Sequence, residues 1–150
     1  MASLFERVGA YFAEDEWPVE VVDTTIFRTR FRGESGQWVC NAWIREEERQ
    51  FVFYSMCPIT VPESRLGEAM EFTTRANFGM ILGNFELDLS DGEIRYKTSL
   101  DIEGGELTVG LCRQVVLSNV MMMDRYLPGV LAVISGAKTP AQAIAELESN

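Results

Sequence analysis

The stretch IFRTRFRGESGQWVCNAWIREEERQFVFYSM, residues 26–56, contains three strand-like runs joined by two short polar turns. In the first run, apolar residues and a threonine alternate with arginines, which is the two-residue period of a strand with one wet face. The runs at 37–45 and 50–56 are rich in aromatic and β-branched residues, which favour strands. Because short connections join antiparallel neighbours, the stretch predicts a three-stranded meander.

A helix is predicted before this meander. Ser3 followed by Glu6 fits a capping box, so the helix should begin at Leu4. Its apolar residues fall on one face: Leu4, Val8, Tyr11 and Phe12. An acidic cluster and Pro18 end the segment, and acidic groups there oppose the helix dipole, so its last turn is expected to fray.

A helix and a second hairpin are predicted after the meander. Residues 62–82 repeat apolar side chains at spacings of three and four, and Gly83 should end this helix. Two alternating runs then flank Asp91-Gly92, a dipeptide typical of tight hairpin turns. The second of these runs extends to residue 102 and has the most regular strand pattern in the chain.

The C-terminal third predicts a long helix over residues 107–126, which Pro128 should kink or restart before it continues to Ile134. A short terminal helix follows, capped by Thr139 with Pro140 at its first position. The whole order, α-βββ-α-ββ-α with a tail helix, predicts a single α+β domain over residues 1–150. Helices should pack on one twisted antiparallel sheet of about five strands.

Composition excludes several classes of function. The chain has 150 residues, 23 acidic and 13 basic, with no His and three Cys, giving a net charge of −10. Without His there is no Ser-His-Asp triad, Cys-His dyad or histidine zinc site, and three cysteines cannot form a four-cysteine metal centre. The acidic balance argues against duplex binding. We therefore expect no enzyme, no cofactor, no metal and no nucleic-acid partner.

The compartment is expected to be the cytoplasm. The charge-free stretch Tyr126–Ala137 is too short for a membrane span and contains a proline and two glycines. The N-terminal residues lack the basic region of a secretory signal. An odd number of cysteines in apolar settings fits reduced, buried thiols: Cys40, Cys57 and Cys112.

Two polar clusters have alternative interpretations. The carboxylates around the second hairpin are interpreted as solvated turn and strand residues, since DLSDGE lacks the spacing of a calcium loop. Arg28, Arg30 and Arg32 with Trp43 and Tyr54 resemble a platform for single-stranded nucleic acid. Given the net charge, we expect instead a wet strand face whose arginines pair with acidic neighbours such as Glu48.

The run Val115–Met123 is apolar around most of the predicted helix circumference. Such a helix is buried on all sides. One alternative is a central core helix covered by the first and last helices; the other is a homodimer seam, since twofold association is the commonest way to bury such a face. On the second alternative the candidate dimer or partner contacts are Val116, Val120, Met121 and Met123.

The chain resembles the YbjN family of bacterial sensory transduction regulators over nearly its whole length. The resemblance rests on Trp17-Pro18, TIFRTRF, WVCNAWI, FVFYSMCPITVP, RANFGMILGNFELDLSDGEIRYKTSLDIEG and the long last helix. It implies a fold like that of type III secretion chaperones, which are small, acidic and often dimeric. No catalytic motif defines the family, so no site residue transfers to this chain.

These observations favour a noncatalytic, chaperone-like or regulatory protein-binding module that acts as a homodimer with an unidentified protein partner. The alternative is a small-molecule sensor with an apolar pocket between helices and sheet. A third class, an enzyme using carboxylates alone, predicts a concave cluster of acids with raised pKa values.

Overall fold

A computed structural model describes residues 2–149 as an α+β domain. Four helices and six strands follow one another along the chain. Their bounds are α1 Leu4–Glu14, β1 Glu20–Val21, β2 Ile26–Arg32, β3 Gln37–Arg45, β4 Gln50–Met56, α2 Leu66–Asn77, β5 Asn84–Leu87, β6 Ile94–Asp101, α3 Val109–Ile134 and α4 Pro140–Glu148.

The six strands form one antiparallel sheet in the order β1-β2-β3-β4-β6-β5. The predicted meander is confirmed, and so is the predicted second hairpin. The predicted count of about five strands missed β1, which has two residues and is too short to show a period. On one sheet face the side chains are buried beneath the helices, while the alternate residues of the same strands face outward with no element over them.

Helix α1 begins as predicted, with the Ser3 and Glu6 capping box formed and the four predicted apolar residues buried. The expectation that its last turn would fray was wrong. Asp15 at its C-cap accepts two hydrogen bonds from the Arg113 guanidinium, at 2.9 and 2.8 Å. This bidentate pair ties the end of α1 to α3 and compensates for the unfavourable charge near the helix dipole.

Helix α2 is shorter than predicted: it begins at Leu66, after a short 3-10 turn, and ends at Asn77. The Asn77 side chain accepts from the Phe85 amide at 2.7 Å and donates to the Phe85 carbonyl at 3.0 Å. Gly79 and Gly83 have φ of 85° and 75°, a region that glycine reaches without strain. The six residues 78–83 therefore leave the helix and form a separate surface segment.

Helix α3 is 26 residues long and continues through Pro128, which the sequence predicted to kink or restart it. Proline has no N–H to bond the carbonyl four residues earlier, that of Asp124. The Ser35 hydroxyl, in the β2–β3 turn, lies 2.8 Å from this carbonyl and supplies a substitute donor. The same hydroxyl lies 2.6 Å from the Asp124 carboxylate, so one contact that is distant in sequence serves both groups of Asp124.

Asn119 fixes α3 to the centre of the sheet. Its Nδ2 lies 2.8 Å from the Phe53 carbonyl, 3.0 Å from the Tyr96 carbonyl and 3.1 Å from the Thr98 hydroxyl, and the residue is fully buried. These acceptors satisfy the buried NH₂ group, whereas the Oδ1 of Asn119 has no hydrogen-bond partner among the described residues. Within residues 2–149, no helix combines the length and apolar character that a membrane span requires.

Candidate functional site

The four residues predicted as dimer contacts separate into two groups in the structure. Val116, Val120 and Met123 have 0% exposure, because they face the sheet and the other helices. These three belong to the chain's own core, so the prediction that they contact a partner was wrong. Met121 is 66% exposed and remains available to a partner.

The side of α3 that faces away from the sheet carries exposed apolar residues, and we call this side the stripe. Its apolar members are Leu111, Leu117 and Met121, and Ser118 and Met122 flank them half-buried. From residue 114 to residue 123 the helix has no charged side chain. Both sides of this part of α3 are therefore apolar, although only one of them is covered.

Residues 78–82 form the second wall of this surface. Phe78 is 89% exposed, Ile81 91% and Leu82 57%. The helical interpretation of 62–82 placed these residues on a helix and so missed them as surface residues. The signal was present in the sequence, since two glycines four residues apart bracket the apolar residues and favour an irregular segment.

This segment is held at both ends while its apolar side chains face solvent. Asn77 fixes the start through the Phe85 backbone. At the other end the Tyr96 hydroxyl donates to the Leu82 carbonyl at 2.5 Å and lies 3.7 Å from the Met80 sulfur. Phe78 and Ile81 are therefore exposed on a segment whose two ends are held in place by hydrogen bonds.

Two depressions lie side by side along α3. One of about 400 Å³ lies between 78–82 and the C-terminal half of the stripe; the other, of about 160 Å³, lies between α3 and β6. They share Leu82 and Ser118 as walls. The stripe from Leu111 to Arg125 is about 21 Å long at the helical rise. We call this continuous surface the α3 groove.

Polar groups occur at one end of the α3 groove. Arg125 and Glu148 line it there, and the Tyr126 hydroxyl donates to Glu148 at 2.7 Å. Burial, together with this carboxylate, raises the pKa of Tyr126 to about 12. The phenol is thus a neutral donor at physiological pH, and this end of the groove offers hydrogen bonding beside the apolar packing surface.

Two carboxylates of the second hairpin, Asp88 and Asp101, have the pKa shift opposite to that of a general acid. Asp88 accepts from the Ser90 hydroxyl at 2.6 Å and its amide at 2.9 Å, which lowers its pKa. Asp101 accepts from the Glu103 amide at 3.0 Å and from Gln50, and its pKa is also lowered. A general acid needs a raised pKa, so neither Asp88 nor Asp101 fits that role. In the described part of the chain no three potential ligands lie close enough to hold a metal ion.

The three cysteines are free thiols, as predicted. Burial raises the pKa of Cys40 to about 12 and that of Cys112 to about 11. Cys57 is half-buried, and its pKa is raised too. At neutral pH these thiols are protonated, so they lack the thiolate that nucleophilic or redox chemistry needs.

The predicted pairing of Glu48 with the arginines of β2 was wrong. Glu48 lies 3.3 Å from Arg45 of β3, three residues earlier in the chain, because the β3–β4 turn directs it back onto that strand. Among the described residues, no carboxylate lies within ion-pair distance of Arg28, Arg30 or Arg32.

Comparison with known proteins identifies the fold and the family. A solved structure described as "Crystal structure of YbjN, a putative transcription regulator from E. coli" superposes with a TM-score of 0.62 at 11% identity, covering 91% of this chain and 95% of that one. No curated protein matches the chain. The model of the family YbjN, described as "Putative bacterial sensory transduction regulator", matches residues 5–132. The chain therefore belongs to the YbjN family.

Proposed function

We propose that the protein is a noncatalytic regulatory module of the bacterial cytoplasm, chaperone-like in its use of apolar surface, which works as a homodimer joined through the α3 groove. The observation that carries this proposal is an uncharged apolar surface on a strongly acidic chain. The description of the family as regulators supports the noncatalytic part.

The size of the surface is consistent with a twofold interface. The exposed side chains of Phe78, Ile81, Leu82 and Met121 give an apolar area on the order of 500 Å², the scale of the largest and often functional patch on a monomer. A standard interface buries about 800 Å² on each partner. The apolar centre of the α3 groove would supply part of such an interface, and its polar rim would supply the rest. Around a twofold axis, the 78–82 segment of one copy would fill the groove of the other.

Charge restricts where two copies can meet. Each carries −10, so most of the surface opposes association at low salt. The α3 groove is the part of the helix layer where this repulsion is weakest, because its charged groups, Arg125 and Glu148, are of opposite sign and lie at one end. An interface there buries apolar area without bringing like charges together.

Sedimentation velocity at micromolar concentration tests the dimer. We expect a dimer for the native chain and a monomer for Ile81→Asp/Met121→Asp, since the double change puts four carboxylates into a twofold interface. Val21→Asp/Leu89→Asp is the matched control, because these residues are 59% and 56% exposed away from the groove. Val120 is unsuitable for this test, because a carboxylate there would disrupt the core.

Two results would contradict the dimer: a native chain that sediments as a monomer, or a control pair that dissociates as readily as the groove pair. Circular dichroism melting of each variant shows that the fold is kept, because all four substituted side chains are exposed. A groove variant that stays dimeric while folded would place the interface elsewhere.

The second candidate is a small-molecule sensor, which the 400 Å³ depression favours. That volume lies within the usual range for ligand pockets, and Met80, Met121 and Tyr126 line it. The pocket predicted between helices and sheet is not where this depression lies, since it opens on the outer side of α3. If the native chain is monomeric and a lipophilic dye raises its melting temperature, but not that of Met121→Asp, the sensor replaces the dimer.

A further inference from the structure

The two walls of the α3 groove rest on one cluster of buried aromatic rings. The Phe85 ring of β5 lies 4.9 Å from that of Tyr96 on β6 and 5.7 Å from that of Tyr126 on α3, measured between centroids. The two pairs are tilted at 74° and 70°, the edge-to-face arrangement that aromatic rings favour. The cluster therefore connects α3 with the strands that flank residues 78–83.

The Tyr96 hydroxyl is the polar group through which this cluster contacts the segment. It donates to the Leu82 carbonyl at 2.5 Å and lies 3.7 Å from the Met80 sulfur, although the ring itself has 0% exposure. Burial raises the pKa of Tyr96 to about 12, so the phenol keeps its proton at neutral pH. Asn77 holds only the start of the segment, so its second half depends on this hydroxyl.

The two glycines of the segment differ in how closely the chain approaches the sheet. A Cβ on Gly83 would lie 2.5 Å from the Lys97 carbonyl oxygen and 2.8 Å from Thr98 Cγ2, so only glycine lets the chain lie against β6 there. A Cβ on Gly79 would meet no atom of the described residues within 4 Å. The chain thus stands clear of the fold at Gly79 and returns to it at Gly83, beside the hydroxyl contact.

We propose that Tyr96 is a positioning residue for the dimer: its hydroxyl holds residues 78–82 in the conformation that a second copy meets. This inference rests on the proposed function. Without the hydroxyl contact the segment would sample other conformations and would have to be ordered when the dimer forms, which reduces affinity. Because Tyr96 is fully buried, it acts on the interface through Leu82 and makes no contact with the partner.

The test is the dissociation constant of the dimer, measured by sedimentation over a dilution series of the full-length protein. Tyr96→Phe removes the hydroxyl and keeps the ring that packs on Phe85. We expect the dissociation constant to rise about tenfold, which corresponds to about 1.4 kcal/mol. A hydroxyl with only a structural role would lower the free energy of unfolding in urea and leave the dissociation constant unchanged.

Tyr11→Phe is the matched control, because Tyr11 also has 0% exposure and lies on α1, away from the groove. Its hydroxyl has no hydrogen-bond partner among the described residues. The same atom is therefore removed from a tyrosine that does not hold the segment. This variant should dimerise within about twofold of the native chain.

Chymotrypsin provides a second readout that does not need the dimer, because it cleaves after residues such as Phe78 and Leu82. In the monomeric Ile81→Asp/Met121→Asp background, Tyr96→Phe should be cleaved within 78–82 several times faster, as mapped by mass spectrometry, since the segment opens more often. A native chain that sediments as a monomer would overturn the proposed function and, with it, the role of Tyr96 in association. A native dimer in which Tyr96→Phe changes neither the dissociation constant nor the cleavage rate, or changes both no more than Tyr11→Phe does, would overturn the role of Tyr96 alone.

Discussion

The contact between Asp124 and the β2–β3 turn allows a quantitative prediction about stability. The Asp124 carboxylate accepts from the Glu34 amide at 3.0 Å and from the Ser35 amide at 2.8 Å, and the Ser35 hydroxyl lies 2.6 Å from it. Asp124→Asn keeps the shape but turns one of the two acceptors into an NH₂ group facing a backbone N–H. The variant loses a charge-assisted bond and gains a donor–donor contact.

A hydrogen bond to a charged group contributes about 1.5–3 kcal/mol. Asp124 is half-buried, so solvent screening puts the expected loss at the lower end, about 1.5 kcal/mol. Urea unfolding followed by circular dichroism measures it, with Glu47→Gln as the control, because Glu47 is exposed in the β3–β4 turn. A loss below about 0.5 kcal/mol relative to this control would refute the reasoning.

The same variant predicts a pH dependence. Desolvation pushes the pKa of Asp124 up, but the hydrogen bonds from Ser35 and Glu34 together outweigh it and leave the pKa below its usual range. A lowered folded-state pKa contributes stability above the unfolded-state value of about 3.9, and this stability is lost as pH falls through the folded-state pKa. The difference between native and Asp124→Asn should therefore be full at pH 6 and shrink below about pH 4. A difference that stays constant down to pH 3 would contradict the charge-based explanation.

Three further predictions concern single residues. Asn119→Ala should lower the unfolding free energy by about 2–3 kcal/mol in urea, because it leaves two carbonyls over the sheet without their amide donor. Gly92→Ala should cost about 2 kcal/mol or more in the same assay, since φ is 79° and a Cβ would overlap the Val61 carbonyl oxygen. In the native protein Ellman's reagent should modify Cys57 first, while the buried thiols react only on unfolding: Cys40 and Cys112.

The sequence predicted an element correctly where the hydrophobic pattern of its residues matched the face that the element buries in the fold. Period-two runs predicted β2, β5 and β6, strand-forming aromatic and β-branched residues predicted β3 and β4, and the capping box predicted the start of α1. These elements are one-sided, so their hydrophobic pattern states which face is buried. The end of α2 was not predictable in this way, because it depends on the Asn77 side chain meeting Phe85 after the chain has turned back.

The sequence predicted one part of the candidate site, the apolar helix α3, but not which side of that helix is open. The run Val115–Met123 showed that α3 is apolar on all sides, but periodicity cannot distinguish the side that meets the sheet from the side that remains open. Tertiary contacts such as the packing of Asn119 onto β4 and β6 fix the rotation of the helix, and with it the exposure of Met121. The exposed wall at 78–82 was hidden because its spacing continues that of α2.

The α3 groove answers a particular demand on an acidic protein. Each copy carries −10, so a second copy is repelled over most of the surface. The groove is nearly uncharged, so it suits a partner of the same charge, which a second copy must be. Because the groove belongs to the helix layer, a dimer through α3 leaves the outer face of the sheet in each copy free for another partner.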